Sequence, residues 1–468
     1  MPTADAAPRI AEAFAAQGQG HVLRHLDALA PDRREALLDQ LAEVDLALMA
    51  RLVAGGEEAK PDFSRLAPAP YVALGSPIAD ARAHGEALLR AGKVSAFTVA
   101  GGQGTRLGWK GPKGTYPATC VTGRPLFRVF AEQIAAAERR YSCSIPWYIM
   151  TSPLNDADTH AFFRDNNWFG RNPADTFLFP QGTMPSVTPD GKLILESPDA
   201  LAVNPDGHGG AIRALAASGA IEDMRARGVE HVSYFQVDNP LVRIADPVFL
   251  GLHARSEGSS GEMSSKMVAK RDAAEKVGVF CDIGGRTGVV EYSDLPAELA
   301  NAVDSTGALR FNAGSIAIHA ISVAFLERLT SGGELALPFH RATKKVPYWC
   351  DERKKTVEPA EPNAIKFEAF VFDALALAAK SLVMETARVE EFAPIKNASG
   401  DDSPASSHQI QSNRNAAWLE RYGVKIHRKP NGDADARIEI LAETALDADD
   451  LADADLPREI GAGAEVVV

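Results

Sequence analysis

Two cations flank a loop with almost no side-chain bulk, and together they hold the clearest chemistry in the chain. The segment is Val99-Ala100-Gly101-Gly102-Gln103-Gly104-Thr105-Arg106-Leu107-Gly108, followed by Gly111-Pro112-Lys113-Gly114. Small residues let backbone N–H groups approach a phosphate chain closely. Arg106 offers a planar fork and Lys113 a compact charge, so several phosphates could be held at once. The spacing Gly102-x-Gly104-x-x-x-Gly108 departs from the dinucleotide pattern G-x-G-x-x-G, and no acidic residue ends an obvious second strand downstream. The Gly-Lys pairs Gly92-Lys93 and Gly191-Lys192 continue with Val94 and Leu193, which excludes a Walker A loop. The plain alternative is a strand-to-helix turn with solvated charges.

Other segments carry weaker signals. Asp238 ends the apolar run Val232–Val237 and precedes Asn239-Pro240; a carboxylate there suits Mg²⁺, which takes one or two carboxylates plus substrate phosphates, or it caps a turn. Gln181, in Phe179-Pro180-Gln181-Gly182, offers the donor and acceptor that a uracil edge requires, although Gln-Gly is also ordinary turn chemistry. The loop Asn204-Pro205-Asp206-Gly207-His208-Gly209-Gly210 opens a helical pattern, and His208 could be an exposed cap. By themselves Lys366 and Lys396 read as solvated charges, and Phe370 and Phe372 as core residues.

Gly101–Gly108 with Pro112-Lys113-Gly114 resembles the signature of the UDP-sugar pyrophosphorylases, and within them the UDP-N-acetylhexosamine branch. The likeness recurs in separate blocks from about residue 95 to about residue 400. It implies a Rossmann-like, GT-A-like nucleotidyltransferase that joins UTP and a sugar 1-phosphate into a UDP-sugar and pyrophosphate with Mg²⁺. The resemblance assigns catalysis to Arg106, Lys113 and Lys396, the last in Phe392-Ala393-Pro394-Ile395-Lys396-Asn397, and the metal to Asp238. Nucleotide contacts fall to Gly101, Gly102, Gly104, Thr105, Gln181, Gly207 and Gly209. Sugar contacts fall to His208, Gly278, Glu291, Tyr292, Asn312, Lys366, Phe370 and Phe372. The segment Pro362–Asp373 points to an N-acetylated sugar, because its two phenylalanines could wall an acetyl methyl. Gly207-His208-Gly209 points instead toward glucose 1-phosphate, since the acetylhexosamine branch often has Asn at that place. A non-catalytic nucleotide-sugar sensor is the rival outside enzymology; a nicotinamide oxidoreductase is disfavoured by the loop spacing.

These residues need a scaffold. Apolar runs at Ala96–Ala100, Trp147–Met150, Thr176–Phe179, His231–Val237, Glu262–Val268 and Gly278–Cys281 predict strands. Helical patterns at Leu126–Arg140, Asp156–Phe163, Gly210–Arg227 and Asp246–Ser256 alternate with them. That alternation predicts an α/β domain with a mostly parallel mixed sheet and a ligand site beyond the strands' carboxyl ends. Residues 1–93 predict a helical N-terminal segment, with an amphipathic helix from Pro31 through Leu48 and an interruption at Pro61 to Pro77. Residues 94–396 form the expected catalytic domain. Residues 397–468 form a small α+β domain, entered through a polar linker, Asn397–Ser407, with a helix at Asn413–Tyr422, strands at Val424–His427 and Arg437–Leu441, and a solvated acidic stretch at Asp447–Asp455.

A length of 468 residues allows two or three domains. The net charge of −13 disfavours nucleic acid and anionic membranes as partners, so cations for anionic substrates must be gathered locally. Four scattered cysteines without C-x-x-C spacing predict reduced thiols. Asp5 and Arg9 within an Ala-rich start do not make a secretory signal, and no long apolar run predicts a membrane span. The expectation is a soluble, cytoplasmic protein of open oligomeric state.

Overall fold

The apolar run that feeds the glycine-rich loop is an interior strand of a ten-stranded mixed sheet. In this computed structural model, residues 6–55, 63–78, 80–333 and 335–468 are described; Asp5 and Pro61 lie outside them. The sheet strands are β1 (Leu66–Pro68), β2 (Val94–Val99), β3 (Trp147–Thr151), β4 (Thr176–Pro180), β5 (His231–Gln236), β6 (Met263–Ala269), β7 (Val279–Ile283), β8 (Thr287–Val290), β9 (Ala313–Ser322) and β10 (Val383–Glu385). Their order is β1-β7-β9-β5-β2-β3-β4, with β6 joining β9 to β10 and β8 pairing with β7. The consecutive strands β5, β2, β3 and β4 run parallel. Beyond β5 the neighbours β9 and β7 turn antiparallel. All five residues of β3 are buried, as expected for a parallel strand covered on both faces.

The helix Leu126–Tyr141 presents Leu126, Phe127, Phe130, Ala131, Ile134 and Ala137 at helical spacing, and these join Trp147, Ile149, Phe163 and Phe235 in one apolar cluster. Asp246 caps the helix Pro247–Arg255 by accepting from the Val248 N–H.

The structure departs from the expected elements at four places. The helix predicted over Gly210–Arg227 is two helices, Gly210–Ala217 and Ala220–Ala226, because Gly219 takes a φ of +79° between them. The pattern from Pro31 through Leu48 is also two helices, Pro31–Ala42 and Leu46–Ala54, since the Asp45 side chain accepts from the Leu48 N–H and starts a new one. The polar linker ends early: Ser403 and Ser406 form a capping box and Pro404 opens a helix that runs to Glu420. The acidic stretch is held rather than merely solvated, because Asp447 and Asp450 pair with Arg140, and Asp447 lies 3.8 Å from Arg243.

The chain forms two compact units, one of residues 1–62, 181–211 and 336–371, the other of residues 63–180, 212–335 and 372–468. Phe14, Leu37, Leu41, Val187, Leu193, Leu201 and Phe367 make the core of the first. The second holds the sheet and also the C-terminal cluster of Trp418, Leu419, Ile438, Leu451 and Ile460. There the Glu439 carboxylate accepts from the Val121 and Thr122 N–H groups and the Thr122 hydroxyl, binding the C-terminal segment to the start of the chain's central portion. Among the described residues no helix is long and apolar enough to cross a membrane.

Candidate active site

The loop after β2 is shaped by hydrogen bonds of its own. Lys113 N–H donates to Gly102 O at 3.0 Å and Gly104 N–H to Gly111 O at 3.1 Å, so the segment folds back on itself. A Cβ on Gly104 would stand 2.6 Å from Trp109 Cβ, and one on Gly114 would stand 2.1 Å from the Phe127 ring. Both glycines are therefore required by packing. Gly102 differs: it is exposed, and the nearest atom to an added Cβ is Lys113 Cδ at 3.9 Å. Thr105 and Arg106 stand exposed on the short turn Thr105–Leu107, while Gly101 is half-buried.

Asn155 fixes this loop, although no pattern in the sequence around it signals that role. It is wholly buried, and its amide donates to Ala100 O at 3.1 Å and Gly102 O at 3.3 Å while its oxygen accepts from Ser152 N–H. Its position just before the acidic first turn of the helix Asp156–Asp165 suggests only a cap, but the side chain makes no cap bond.

The cations and carboxylates of this unit converge at the end of β5. Lys113 Nζ lies 3.6 Å from Asp238 Oδ2, and both side chains are largely buried. Ile395 N–H donates to Asp238 O at 2.8 Å, and Asn239 bridges the Glu391 carbonyl and the Ala393 N–H. This brings Lys396 to the neighbourhood, where its Nζ is 3.8 Å from Asp402 Oδ2. Asp402, another residue not foreseen, has a φ of +54°, and its carbonyl accepts from the Lys396 and Asn397 N–H groups. Burial raises its carboxyl above the ordinary value against the pull of Lys396, and the charge of Asp238 adds to the rise.

Beneath lies a buried cluster. Lys266, fully buried, donates to Asp246 at 2.6 Å and to Glu391 at 2.6 and 2.7 Å. Burial opposes ionisation of Asp246, but Lys266 and Arg243 hold its carboxyl well below the usual range. A fully paired cluster of this kind fixes Glu391, and so the backbone that Asn239 grips.

Gly278, Glu291 and Asn312 are also brought together in this unit. A Cβ on Gly278 would meet Val289 at 2.7 Å and the Glu291 carboxylate at 3.4 Å. Gly278 O accepts from Ser315 N–H, and Asn312 O accepts from Gly314 and Lys270 N–H. Tyr292 is 48 % exposed and projects from the group. Phe372 is buried within the short helix Val371–Leu377.

The other unit carries Gln181, buried directly after β4, and the loop Asn204–Gly210. Gly207, at φ +83°, would place a Cβ 2.4 Å from Ala369 O, and Gly209 would place one 2.6 Å from Ala369 C and Phe370 N. The close approach these glycines permit is to the chain's own segment. His208 is half-buried rather than an exposed cap. Its ring stacks on Phe370 at 5.2 Å, and His340 stacks on Phe370 at 4.6 Å. Val371 N–H donates to His208 Nδ1 at 3.1 Å, a bond that requires that nitrogen to be unprotonated. Burial first, and His340 second, lower the His208 pKa to about 4. Lys366 lies on the strand Ala364–Glu368, opposite Ala342, half-buried, with its pKa lowered by burial against the pull of Glu368.

The residues fit a metal carried by its substrate. Among the described residues no group of three or more His, Cys, Asp or Glu side chains is placed to hold an ion. A divalent cation needs only one or two carboxylates when phosphates complete its shell, and Asp238, with the charge of Asp402 acting on the same place, is suited to that.

The chain is similar to known proteins along most of its length. The family described as UTP–glucose-1-phosphate uridylyltransferase matches residues 67–418. The human UDP-N-acetylhexosamine pyrophosphorylase-like protein 1 is 39% identical over 458 residues, covering 90% of each chain. The UDP-N-acetylglucosamine pyrophosphorylase of Saccharomyces cerevisiae is 34% identical over 429 residues, covering 89% of this chain and 88% of its own. The crystal structure of the uridine diphosphate N-acetylglucosamine pyrophosphorylase of Trypanosoma brucei, solved with an inhibitor, superposes with a TM-score of 0.81 at 25% identity over 98% of both chains. The chain, with its Gly-rich loop after an interior strand, mixed α/β sheet and match across most of its length, belongs to the UTP–glucose-1-phosphate uridylyltransferase family.

Proposed function

We propose that the protein is a uridylyltransferase that forms UDP-N-acetylglucosamine and pyrophosphate from UTP and N-acetylglucosamine 1-phosphate. The apposition of Lys113 and Asp238 at the carboxyl edge of the parallel strands carries the reaction class. The relatives' names, at 34% and 39% identity over about nine-tenths of the chain, support the acetylated sugar.

In this reading a sugar 1-phosphate oxygen attacks the α-phosphorus of UTP. The bond to the bridging oxygen breaks and pyrophosphate leaves in line. The nucleophile is already an anion, so no side chain has to remove a proton. What remains is to position two mutually repelling anions and to neutralise the leaving group. The N–H groups of Gly101, Gly102 and Thr105 cradle the triphosphate while Gly104, its own N–H bonded to Gly111 O, holds the loop's shape, with Arg106 and Lys113 on the triphosphate's charge and Lys396 on the sugar phosphate. Gln181 reads the uracil, and Gly207 and Gly209 shape the loop beside the base. Gly278, Glu291, Tyr292, Asn312 and Lys366 serve the sugar. His208, Phe370 and Phe372 set the apolar surface near its substituent. Asp238, with Asp402 near it, would hold Mg²⁺, which when bound supplies charge neutralisation on the triphosphate.

In this reading the chain's parts are residues 1–93, 94–396 and 397–468, the first also contributing strand β1 to the sheet. The free cysteines, two of them buried, suit a reducing cytoplasm. Pyrophosphate release from UTP and Mg²⁺, with N-acetylglucosamine 1-phosphate and glucose 1-phosphate assayed in parallel, tests the reading. Preference for the acetylated sugar is expected. Preference for glucose 1-phosphate would reassign the substrate, and release with neither would reject the enzyme.

A further inference from the structure

A cavity of about 90 Å³ lies within the sheet-bearing unit, walled by the helix Leu126–Tyr141, the segment Pro240–Pro247 and the C-terminal residues Gln411–Asp447. Four arginines line it, Arg124, Arg140, Arg243 and Arg414, against the carboxylates Glu132, Glu439 and Asp447. Those carboxylates are already engaged. Glu132 accepts from Arg124 and Arg128, Glu439 from the Val121 and Thr122 N–H groups, and Asp447 from Arg140, with Arg243 at 3.8 Å.

Arg414 is the exception among the four. Its Nε donates to Asn415 Oδ1 at 3.0 Å and its guanidinium lies 4.6 Å from the Trp418 ring centroid. Among the described residues no carboxylate lies within 4.0 Å of it, and the nearby Glu390 accepts instead from Trp418 Nε1. Burial pulls the Arg414 pKa down to about 10, opposed by Glu390 and assisted by the like charge of Arg243. The group is still a cation at neutral pH, so a half-buried charge lines the cavity without a carboxylate at bonding distance.

We propose that this cavity is a binding site for a phosphate-sized oxyanion, held by the guanidinium groups of Arg414 and Arg243. A volume of about 90 Å³ takes a few waters or one tetrahedral anion, and an arginine fork matches phosphoryl oxygens in pairs. The site is separate from the one assigned above: Arg414 stands ten residues along the helix that opens at Pro404, about 15 Å from the Asp402 end at helical rise.

The test is calorimetric titration of the full chain with inorganic phosphate at fixed ionic strength, a binding readout that needs no assignment of the reaction. Saturable binding in the millimolar range is expected. Arg414→Gln weakens it at least about tenfold, the loss of a charge-assisted bond, and leaves pyrophosphate release at its wild-type rate. Glycerol 3-phosphate is titrated in parallel. Equal or tighter binding assigns the site to the phosphoryl group of a metabolite, and weaker binding to the free ion. Ala442→Leu, at a half-exposed position on the wall, fills the cavity and should abolish binding even if Arg414→Gln fails to fold. Absence of phosphate binding, wild-type titration by both variants, or binding that competes with UTP and is lost in Lys113→Ala would overturn the proposal.

Discussion

The two glycine-rich loops, Gly101–Gly114 and Asn204–Gly210, look alike in the sequence and use their glycines for different reasons. In the first, Gly104 and Gly114 make room for Trp109 and Phe127, but Gly102 is exposed with open space where a side chain would stand. In the second, Gly207 and Gly209 are pressed against the backbone at Ala369 and Phe370, and Gly210 against the Asp206 carboxylate, where a Cβ would stand 1.9 Å from Oδ1. The first loop leaves space for something that is not protein; the second spends its freedom on the chain itself. Glycine content alone therefore does not identify a ligand surface. The space left around each glycine does.

The comparison can be broken by substitution, and the largest effect belongs to the first loop. Lys113→Ala is expected to lower turnover about 100-fold, the magnitude of losing one preorganised donor to developing charge, with the unfolding midpoint nearly unchanged. Steady-state kinetics beside a thermal melt checks both halves, and near-normal turnover of the folded variant would remove Lys113 from the reaction. Gly209→Ala should act in the opposite sense: its methyl meets backbone atoms, which cannot swing aside, so about 1–3 kcal/mol of stability is lost. A denaturant series with unchanged midpoint would show that the second loop has slack the geometry does not suggest.

Gly102→Ala sharpens the contrast. With nothing within 3.9 Å of the new methyl, stability should stay within about 0.5 kcal/mol. Apparent affinity for UTP should fall roughly tenfold, from crowding of a phosphate against the loop. Unaltered UTP kinetics would place the triphosphate elsewhere.

The smallest effect is the pH dependence of the second loop. His208 is neutral in the folded chain, with a pKa lowered from 6.5 to about 4. The unfolded chain then binds more protons between those values, so stability is whole above the upper one and declines as pH falls toward the lower. His253, lowered to about 3, contributes in an overlapping window. The diagnostic quantity is thus the difference between wild type and His208→Asn, expected to flatten the acid limb by about 1 kcal/mol once solvent screening is allowed for. Parallel acid limbs would mean that burial, with His340 beside it, does not hold His208 neutral.

Much of the fold was legible because it is written locally. Strands β2 to β6 fall within two residues of their apolar runs, since period and side-chain type act over a few neighbouring residues. The breaks were less legible. Gly219, Asp45 and Ser403 each ended or began a helix at a place where the apolar pattern ran on or had not started, so the local backbone signal prevailed over periodicity. The candidate site divided in the same way. Lys113 and Asp238 could be named separately, but neither Asn155 nor Asp402 carries a pattern that announces its partner.

The sequence alone determined which side chains are present for chemistry: a glycine-rich loop with two cations, a carboxylate at the end of a buried strand, and a run of apolar segments that must stack into a parallel core. Local composition suffices for these, because they depend on residue type and near neighbours. Only the tertiary structure decided that Lys113 would stand 3.6 Å from Asp238, that Asn155 would hold the carbonyls of Ala100 and Gly102, and that His208 and His340 would enclose the Phe370 ring. Those partners lie from 30 to 162 positions apart in the chain. Their distances follow from how buried elements pack against one another, which no single segment specifies.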